Sequence, residues 1–131
     1  MIRQGLVILD GATGTELQAQ GMPEGVSPEL FCIENPQAIK SVHRGYLDAG
    51  SDIVYTCTFG ANRYKLADYG LSDAYDVNCR LAAIAREAAG KNGLVAGDIG
   101  PTGRFVDPFG DLDFEDAVKC YKEQAQGLLD G

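Results

Sequence analysis

The chain has 131 residues, of which 45% are hydrophobic and 23% charged, a balance typical of a globular domain. Its formal net charge of -8 argues against nucleic acid or an anionic membrane surface as the main partner, because both attract basic patches. The sequence has neither an apolar run of the roughly 20 residues that a membrane helix needs nor the pattern of a signal peptide. We therefore expect a cytoplasmic domain that acts on a small molecule.

Apolar runs of strand length end three times in a turn rich in glycine and small polar residues, at Leu6 to Gly14, Asp52 to Gly60 and Leu94 to Gly103. Helical patterns fill the intervals, so the repeated strand, loop and helix units predict an α/β fold with a parallel sheet. In such sheets functional groups collect at the carboxyl ends of the strands. The site is therefore expected at residues 10–15, 55–60 and 98–103.

The first predicted strand, residues 6–9, is a continuous apolar run of the kind that is buried on both faces of a parallel sheet. A short helix is expected to start near residues 13–15 and to run toward Gln20. The Gly and Pro content of residues 21–29 then predicts a loop, with Cys32 just before the next helix.

That next helix is predicted at residues 35–49. Asn35 supplies an N-cap and Pro36 the first helical residue, while Gly50 ends the apolar period as a C-terminal cap. His43, the only histidine, lies in the middle of this helix, away from the expected site. We expect it to be a surface or helix-packing residue.

The second strand is predicted at residues 53–58 and is followed by a short helix at residues 63–69. Ser72 is expected to cap the next helix, whose apolar face repeats every three to four residues until Gly90. These elements complete a second strand, loop and helix unit.

The third strand is predicted from Leu94 to about Ile99, and a long loop at residues 100–112 leads to a last helix capped by Asp113. Three strands leave two unpaired sheet edges, which invite pairing with other chain segments. We therefore expect residues 1–131 to be the amino-terminal part of a larger domain, or to pair through these edges as a homo-oligomer.

The first turn has the groups needed to hold a free amino acid. Gly11 and Gly14 let the backbone approach a ligand, and Asp10 offers a carboxylate to an ammonium group. A plain turn in which Asp10 accepts backbone hydrogen bonds explains the same residues equally well. A dinucleotide fingerprint fits poorly, because the third glycine of the G-x-G-x-x-G pattern is missing and Leu17 lies nearby instead.

Cys57 and Asp98 are expected to join Asp10 around one opening, since all three lie at strand ends. One thiol and two carboxylates without histidine do not make a convincing zinc site. The four cysteines form no Cys-x-x-Cys pair, so reduced thiols are expected. For three of them, Cys32, Cys79 and Cys120, packing as small apolar residues is the simplest interpretation.

Three stretches together resemble the homocysteine S-methyltransferase family: LVILDGATGTEL at 6–17, the helix and strand at 35–71, and VAGDIGPTG at 95–103. Within the family, the resemblance is strongest to the homocysteine-binding module of cobalamin-dependent methionine synthases. It implies that the chain forms the first three or so units of a (β/α)8 barrel, incomplete as given. It also implies methyl transfer to the thiol of homocysteine activated by zinc, with methylcobalamin as the expected donor.

Carried over residue by residue, the resemblance assigns Asp10 to the substrate amino group and the backbone of Gly11, Ala12 and Thr13 to the amino acid. Thr56 and Thr58 match the family's T-x-T-F pattern, in which Cys57 replaces a common Asn. The family's zinc cysteines match none of the four cysteines of this chain. We therefore expect zinc ligands beyond this sequence and no catalysis by these residues alone.

Two other functions remain open from the residues themselves. One is an α/β enzyme that uses the acidic turn for a different amino acid. The other is a non-catalytic half-barrel that serves as an assembly unit through its sheet edges.

Overall fold

The computed structural model describes residues 5–91 and 93–131. This part of the chain contains six helices and two strands. In chain order they are α1 (Gly14–Ala19), α2 (Pro28–Glu34), α3 (Pro36–Ala49), β1 (Ile53–Tyr55), α4 (Arg63–Ala67), α5 (Ala74–Ala89), β2 (Leu94–Ala96) and α6 (Phe114–Asp130). The α/β class predicted from the repeated units is confirmed. No helix among the described residues is both long and apolar enough to cross a membrane.

The sheet is built on β1 and β2, which pair in parallel with Ile53 opposite Leu94 and Tyr55 opposite Ala96. The segment before the first turn lies along the other edge of β1, where Leu9 forms a parallel bridge to Ile53. The Asp10 N–H donates to the Ile53 carbonyl at 3.0 Å. The three predicted turns therefore leave the same edge of the sheet.

The expectation of a buried first strand at residues 6–9 is wrong for this structure. Only Leu9 forms a bridge, and the side chains of Leu6, Ile8 and Leu9 are 75%, 48% and 45% exposed. A strand is buried on both faces only when other elements cover both, and the described residues place no strand on the outer side of this segment.

The second and third strands are shorter than the predicted ranges of 53–58 and 94–99. Pairing continues one step past β1, where the Thr56 N–H donates to the Ala96 carbonyl at 2.9 Å. Beyond that point the backbone turns, because the Thr58 N–H donates to the Thr56 carbonyl instead of a neighbouring strand. The apolar runs used to predict the strands therefore continue into the turns, so the predicted strands are longer than β1 and β2.

Helix α2 falls partly on the predicted loop and includes Cys32, which the sequence analysis placed before a helix. The Ser27 hydroxyl accepts a hydrogen bond from the Leu30 N–H, and Pro28 is the first helical residue. Ser27 and Pro28 thus form the same N-cap and Pro signal as Asn35 and Pro36. The neighbouring glycines and prolines predict a loop, and the helix forms in spite of them.

Helix α3 agrees with its predicted range. At its end, the Gly50 N–H bonds to the Leu47 carbonyl and the Ser51 N–H to the Tyr46 carbonyl, with Gly50 at φ +110°. These are the two bonds of a Schellman cap. The Asn35 side chain, however, donates to the Phe31 carbonyl at 3.1 Å and so closes α2 rather than capping α3.

The remaining helices differ from the predictions mainly at their ends. Asp73, not Ser72, caps α5, because its carboxylate accepts from the Asp76 N–H at 2.8 Å. Asp113 caps α6 as predicted and accepts from two backbone N–H groups. The short helix α4 ends at Ala67, two residues before the predicted end.

The helices pack against one another, and α3 and α5 also contact the strands. Gly127 of α6 lies so close to α5 that a Cβ there would be 2.5 Å from the Tyr75 carbonyl oxygen. Lys40 of α3 pairs with Glu87 of α5 at 2.6 Å. His43 is 1% exposed, so the surface position that was one of its two expected places is wrong and the residue is buried. The main apolar core joins residues of α1 to α5 and their connections: Leu17, Met22, Cys32, Ile39, Val42, Ala61, Leu66, Ala74, Val77 and Leu81.

Candidate functional site

An open cavity of about 760 Å³ lies at the carboxyl ends of the parallel segments, within the size range of small-molecule sites. Residues of the three predicted turns line it together with parts of α2 and α4. Its wall includes Asp10, Gly11, Thr13, Gly14, Pro28, Glu29, Tyr55, Thr56, Cys57, Phe59, Gly60, Lys65, Asp68, Tyr69 and Asp98. The location therefore agrees with the sequence-based prediction.

Six of the seven residues proposed as substrate-binding line this cavity: Asp10, Gly11, Thr13, Thr56, Cys57 and Asp98. The seventh, Ala12, is in the same turn but is not part of the wall. Its carbonyl accepts a hydrogen bond from the Tyr46 hydroxyl at 2.8 Å. The structure thus brings three separate segments of the chain together, while contact of these residues with a substrate stays a prediction.

Tyr46 of α3 fixes the position of the first turn. Its ring lies against Gly11, where a Cβ would be 3.0 Å from the Tyr46 ring and hydroxyl. A side chain at position 11 would therefore require the Tyr46 ring to shift by a few tenths of an ångström, which would strain its bond to Ala12. The contact with Tyr46 thus favours glycine at this position.

The second and third turns are tied together by Thr56, Thr58 and Asp98. The Asp98 N–H donates to Thr56 Oγ1 at 2.9 Å, and Thr58 Oγ1 donates to the Asp98 carbonyl at 2.7 Å. The two hydroxyl oxygens are 2.6 Å apart. Because the Thr58 proton is used on Asp98, Thr56 must be the donor between the hydroxyls. The resulting closed cycle holds one wall of the cavity in a single geometry.

The carboxylates of Asp10 and Asp98 make this wall acidic. Burial raises the pKa of Asp10, and the nearby Asp98 charge adds to the effect, whereas N–H groups including that of Tyr55 oppose it. The Tyr55 N–H donates to Asp10 Oδ2 at 3.0 Å. Burial and the Glu29 charge likewise raise the pKa of Asp98. A bound cation would relieve this repulsion, so the wall favours an ammonium group.

Cys57 lies between the two threonines, and its sulfur is 3.7 Å from that of Cys32 on α2. The hydrogen bond with Cys32, burial, and the charges of Glu29 and Asp98 hold the pKa of the Cys57 thiol well above its ordinary value. Cys57 is therefore a neutral thiol at neutral pH. At its atypical place in the T-x-T-F pattern, Cys57 contacts a partner thiol that the spacing of the cysteines did not predict.

Glu29 is a wall residue that the sequence analysis missed. It is buried in α2, where Oε2 accepts from the Ser27 hydroxyl at 2.6 Å and Oε1 accepts from the Gly60 N–H at 2.7 Å. A Cβ at Gly60 would be 2.6 Å from that same Oε1. Glu29 therefore joins α2 to the turn after β1. Its only sequence signal was its place in the first turn after Ser27 and Pro28.

Lys65 of α4 is the one basic side chain in the described wall of the cavity. Its ammonium group lies 5.0 Å from the centre of the Phe59 ring, within the range of a cation–π contact. Phe59 lies within the predicted site at residues 55–60, whereas Lys65 was not predicted, because helical spacing alone does not show which face of α4 meets the cavity.

The described residues contain no group of three His, Cys, Asp or Glu side chains that could hold a metal ion. Cys32, Cys57, Cys79 and Cys120 are all free thiols. The cavity can therefore bind through carboxylates, one ammonium group, hydroxyls and backbone groups. Such a set suits a small zwitterion with one positive and one negative end.

Comparison with known proteins gives a consistent result. The family model described as homocysteine S-methyltransferase matches residues 7–131. Methionine synthase of Mycobacterium tuberculosis (strain ATCC 25618 / H37Rv) is 34% identical over 145 aligned positions, which cover 100% of this chain and 12% of that protein. Methionine synthase of Mycobacterium leprae (strain TN) is 33% identical and covers 99% of this chain and 12% of that protein. The chain thus spans 12% of the length of these relatives.

Solved structures agree. The metallated form of the homocysteine methyltransferase MmuM from Escherichia coli superposes with a TM-score of 0.81 at 26% identity, covering 97% of this chain and 51% of that one. Its oxidized form gives a TM-score of 0.79 over 95% of this chain and 49% of that one. The described fold therefore corresponds to about half of each solved chain.

Proposed function

The chain belongs to the homocysteine S-methyltransferase family, and from this premise we propose that its cavity binds the amino acid end of homocysteine. The supporting observation is that Asp10, Thr56 and Asp98, which come from three distant segments, line one acidic cavity. Methyl transfer to the homocysteine thiol is the activity that we propose for the whole protein.

The proposed orientation follows from the charges. The substrate ammonium group lies between Asp10 and Asp98, whose pKa values are raised first by burial and then by neighbouring carboxylates, so that a bound cation would stabilise their charged forms. The substrate carboxylate faces the backbone of Gly11 to Thr13 and the ammonium group of Lys65. The closed cycle of Thr56, Thr58 and Asp98 keeps the Asp98 backbone fixed while the substrate binds.

Zinc, which the family resemblance implies, does not fit the residues that the structure describes, since none of their side chains form a suitable group of three ligands. We therefore assign no zinc ligand in this chain and derive no step through the metal. Methylcobalamin as the methyl donor and a cytoplasmic location stay predictions from the sequence. A different amino acid would use the same acidic cavity, and we favour homocysteine over it because of the family. The assembly unit gains no support from a feature of the cavity.

We also propose that these residues form the first units of a (β/α)8 barrel. The support is the parallel pairing of β1 with β2, the bridge from Leu9 to β1, and a superposition that takes in about half of a solved homocysteine methyltransferase. In a barrel of this kind the loops at the carboxyl ends of the strands form the active site.

Calorimetry with three compounds tests the proposed binding mode. L-Homocysteine is compared with 4-mercaptobutanoate, which lacks the amino group, and with L-homocysteine methyl ester, which lacks the free carboxylate. We expect the compound without an amino group to bind at least about tenfold more weakly, because a charge-assisted hydrogen bond contributes about 1.5 to 3 kcal/mol. If 4-mercaptobutanoate binds as tightly as homocysteine, the assignment of Asp10 and Asp98 is wrong. If the methyl ester binds as tightly as homocysteine, the assignment of the first turn and Lys65 to the carboxylate is wrong.

A further inference from the structure

Two thiols meet at the wall of the cavity. The Cys32 thiol donates a hydrogen bond to the Cys57 sulfur across 3.7 Å, and no other pair of thiols is in contact among the described residues. Cys32 belongs to α2 and Cys57 to the turn after β1, so they are 25 positions apart in the chain. A bond between them would join two separate elements of the fold.

The two cysteines differ in their access to small molecules. Cys57 lines the cavity, whereas Cys32 is 0% exposed and lies behind it. A reagent that enters the cavity therefore meets Cys57 first, and the intermediate that it forms there already has a second thiol in contact. This is the arrangement of an attacking cysteine with a resolving cysteine.

We propose that Cys32 and Cys57 form an oxidation site that a hydroperoxide converts to a disulfide through the cavity. The reacting form is the Cys57 thiolate, which is scarce at neutral pH because the pKa of this thiol is raised, and which increases as the pH rises. After the thiol proton passes to solvent, the Cys57 sulfur attacks one peroxide oxygen, the O–O bond breaks, and Cys57 becomes a sulfenic acid. The leaving hydroxide, or the alkoxide from an alkyl hydroperoxide, takes up a proton to form water or an alcohol. The Cys32 sulfur then attacks the Cys57 sulfur, the S–O bond breaks, and a second water leaves. The thiols lose two electrons to the peroxide, and both thiol hydrogens end in the water or alcohol formed.

The required movement is small. A disulfide bond is about 2.05 Å long, so the two sulfurs must approach by roughly 1.7 Å. The hydrogen bonds of Thr56 and Thr58 hold the backbone on either side of Cys57. Most of the adjustment therefore falls on the Cys32 side chain and on α2.

Oxidation has a consequence for the cavity. The disulfide turns the Cys57 sulfur toward α2 and removes a thiol hydrogen from the wall beside Asp98. Glu29, which anchors α2 to Gly60, is on the same helix as Cys32 and moves with it. We expect homocysteine to bind more weakly to the oxidised protein; this consequence rests on the proposed function, whereas the disulfide does not.

Peptide mapping tests the proposal directly. The reduced protein is treated with hydrogen peroxide at mildly alkaline pH, where more of the Cys57 thiol is ionised, and the remaining thiols are alkylated before digestion with trypsin. Trypsin places Cys32 and Cys57 in separate peptides, residues 4–40 and 45–63. We expect one cross-link between these two peptides, loss of two titratable thiols per chain, and recovery of both with dithiothreitol.

Two variants serve as controls. The double variant Cys79→Ser, Cys120→Ser should form the same cross-link, and Cys57→Ser should form none. A cross-link to Cys79 or Cys120, a Cys57 sulfinic acid without a cross-link, or four unmodified thiols would each overturn the proposal. Because the wild-type map decides the question, a poorly folded variant does not prevent a result.

Calorimetry then separates this proposal from the proposed function. Weaker homocysteine binding after oxidation, restored by dithiothreitol, supports a redox-sensitive cavity. Unchanged binding to a protein that carries the mapped disulfide overturns the effect on the cavity. If homocysteine binds to neither form, the proposed function fails while the mapped disulfide still establishes the oxidation site.

Discussion

Thr58 Oγ1 donates a hydrogen bond to the Asp98 carbonyl at 2.7 Å, although the two residues are 40 positions apart in the chain. Thr58 is fully buried, and Thr56 completes the contact by accepting from the Asp98 N–H. The ends of the two strands are therefore joined by side chains where the backbone ladder has already stopped. The shape of the cavity wall at the candidate site therefore depends on the hydroxyl groups of Thr56 and Thr58.

Replacing Thr58 with Val should destabilise the protein by about 1 to 3 kcal/mol, because the Asp98 carbonyl and the Thr56 hydroxyl lose a buried partner while the volume stays similar. The free energy of unfolding in urea measures the effect. Thr58→Ser keeps the hydroxyl and should retain most of the stability. Equal loss in both variants would show that packing, not the hydrogen bonds, is the main contribution.

Asp10→Asn should weaken homocysteine binding roughly tenfold or more without lowering stability at neutral pH. The Asn oxygen can still accept from the Tyr55 N–H, while the charge is removed. The folded state raises the pKa of Asp10, so protonated Asp10 contributes to the free energy of unfolding. This contribution is fully present below the ordinary pKa of 3.8 and is lost as the pH rises through the pKa of the folded state. The carboxylate is thus a cost to folding at pH 7.

Calorimetry and urea unfolding of the same Asp10→Asn sample separate the two effects. Asp48→Asn, on the exposed face of α3, is the matched control and should change neither property. If Asp10→Asn binds homocysteine as the wild type does, Asp10 has only the role of accepting backbone hydrogen bonds.

The buried His43 should make the protein less stable in mild acid. Burial lowers its pKa from 6.5 to about 4, and neither ring nitrogen has a hydrogen-bond partner in the described residues. Between pH 6.5 and about 4, the imidazole of His43 is therefore protonated in the unfolded chain and neutral in the folded chain. The contribution of neutral His43 to the free energy of unfolding is fully present above pH 6.5. It falls as the pH drops toward about 4, by about 3 kcal/mol in total.

Unfolding in urea at several pH values between 7.5 and 4 measures this slope. His43→Leu removes the titrating group and should flatten the curve in this window, whatever its effect at pH 7. His43 is the only histidine of the chain, so no other imidazole contributes. An unchanged slope in His43→Leu would assign the acid sensitivity to other groups.

Two helical glycines should respond to alanine in opposite directions. In α6, a Cβ at Gly127 would be 2.5 Å from the Tyr75 carbonyl oxygen and 3.0 Å from Asn78 Cβ, so Gly127→Ala should force α5 and α6 apart and cost about 1 to 3 kcal/mol. In α3, a Cβ at Gly45 would meet nothing within 4 Å, and Gly45→Ala should stabilise the protein by up to about 1 kcal/mol.

Thermal or urea unfolding of the two variants side by side checks the prediction. The backbone preference of alanine is the same in both helices, so the difference between them isolates the contact of α6 with α5. Similar changes in both variants would mean that Gly127 is not required for close packing.

The parts of the fold that could be predicted are those set by local chemistry. The Pro36 start and the Gly50 end of α3 follow from one proline and one glycine, and both agree with the structure. The cap by Asp113 is equally local. Helix α2 has the same local signal at Ser27 and Pro28, but it was hidden by neighbouring turn residues.

The parts that could not be predicted depend on distant contacts. Residues 6–9 are as apolar as a buried strand, yet burial requires neighbours on both sides, which the described residues do not supply. The candidate site shows the same limit: the turns predicted Asp10, Cys57 and Asp98, whereas Glu29 joins them only because α2 folds back onto Gly60. Pairing of Cys57 with Cys32 arises in the same way.

Helix α6 supports the cavity, although none of its residues line the wall. Gln124 of α6 is fully buried and donates to the Thr58 carbonyl at 2.9 Å. Every described wall residue lies between positions 10 and 98, but a shortened protein that ended after Asp98 would leave this carbonyl without its donor. The smallest segment able to preserve the cavity therefore extends at least to Gln124 in α6, and its boundary is set by a hydrogen bond rather than by the residues that line the cavity.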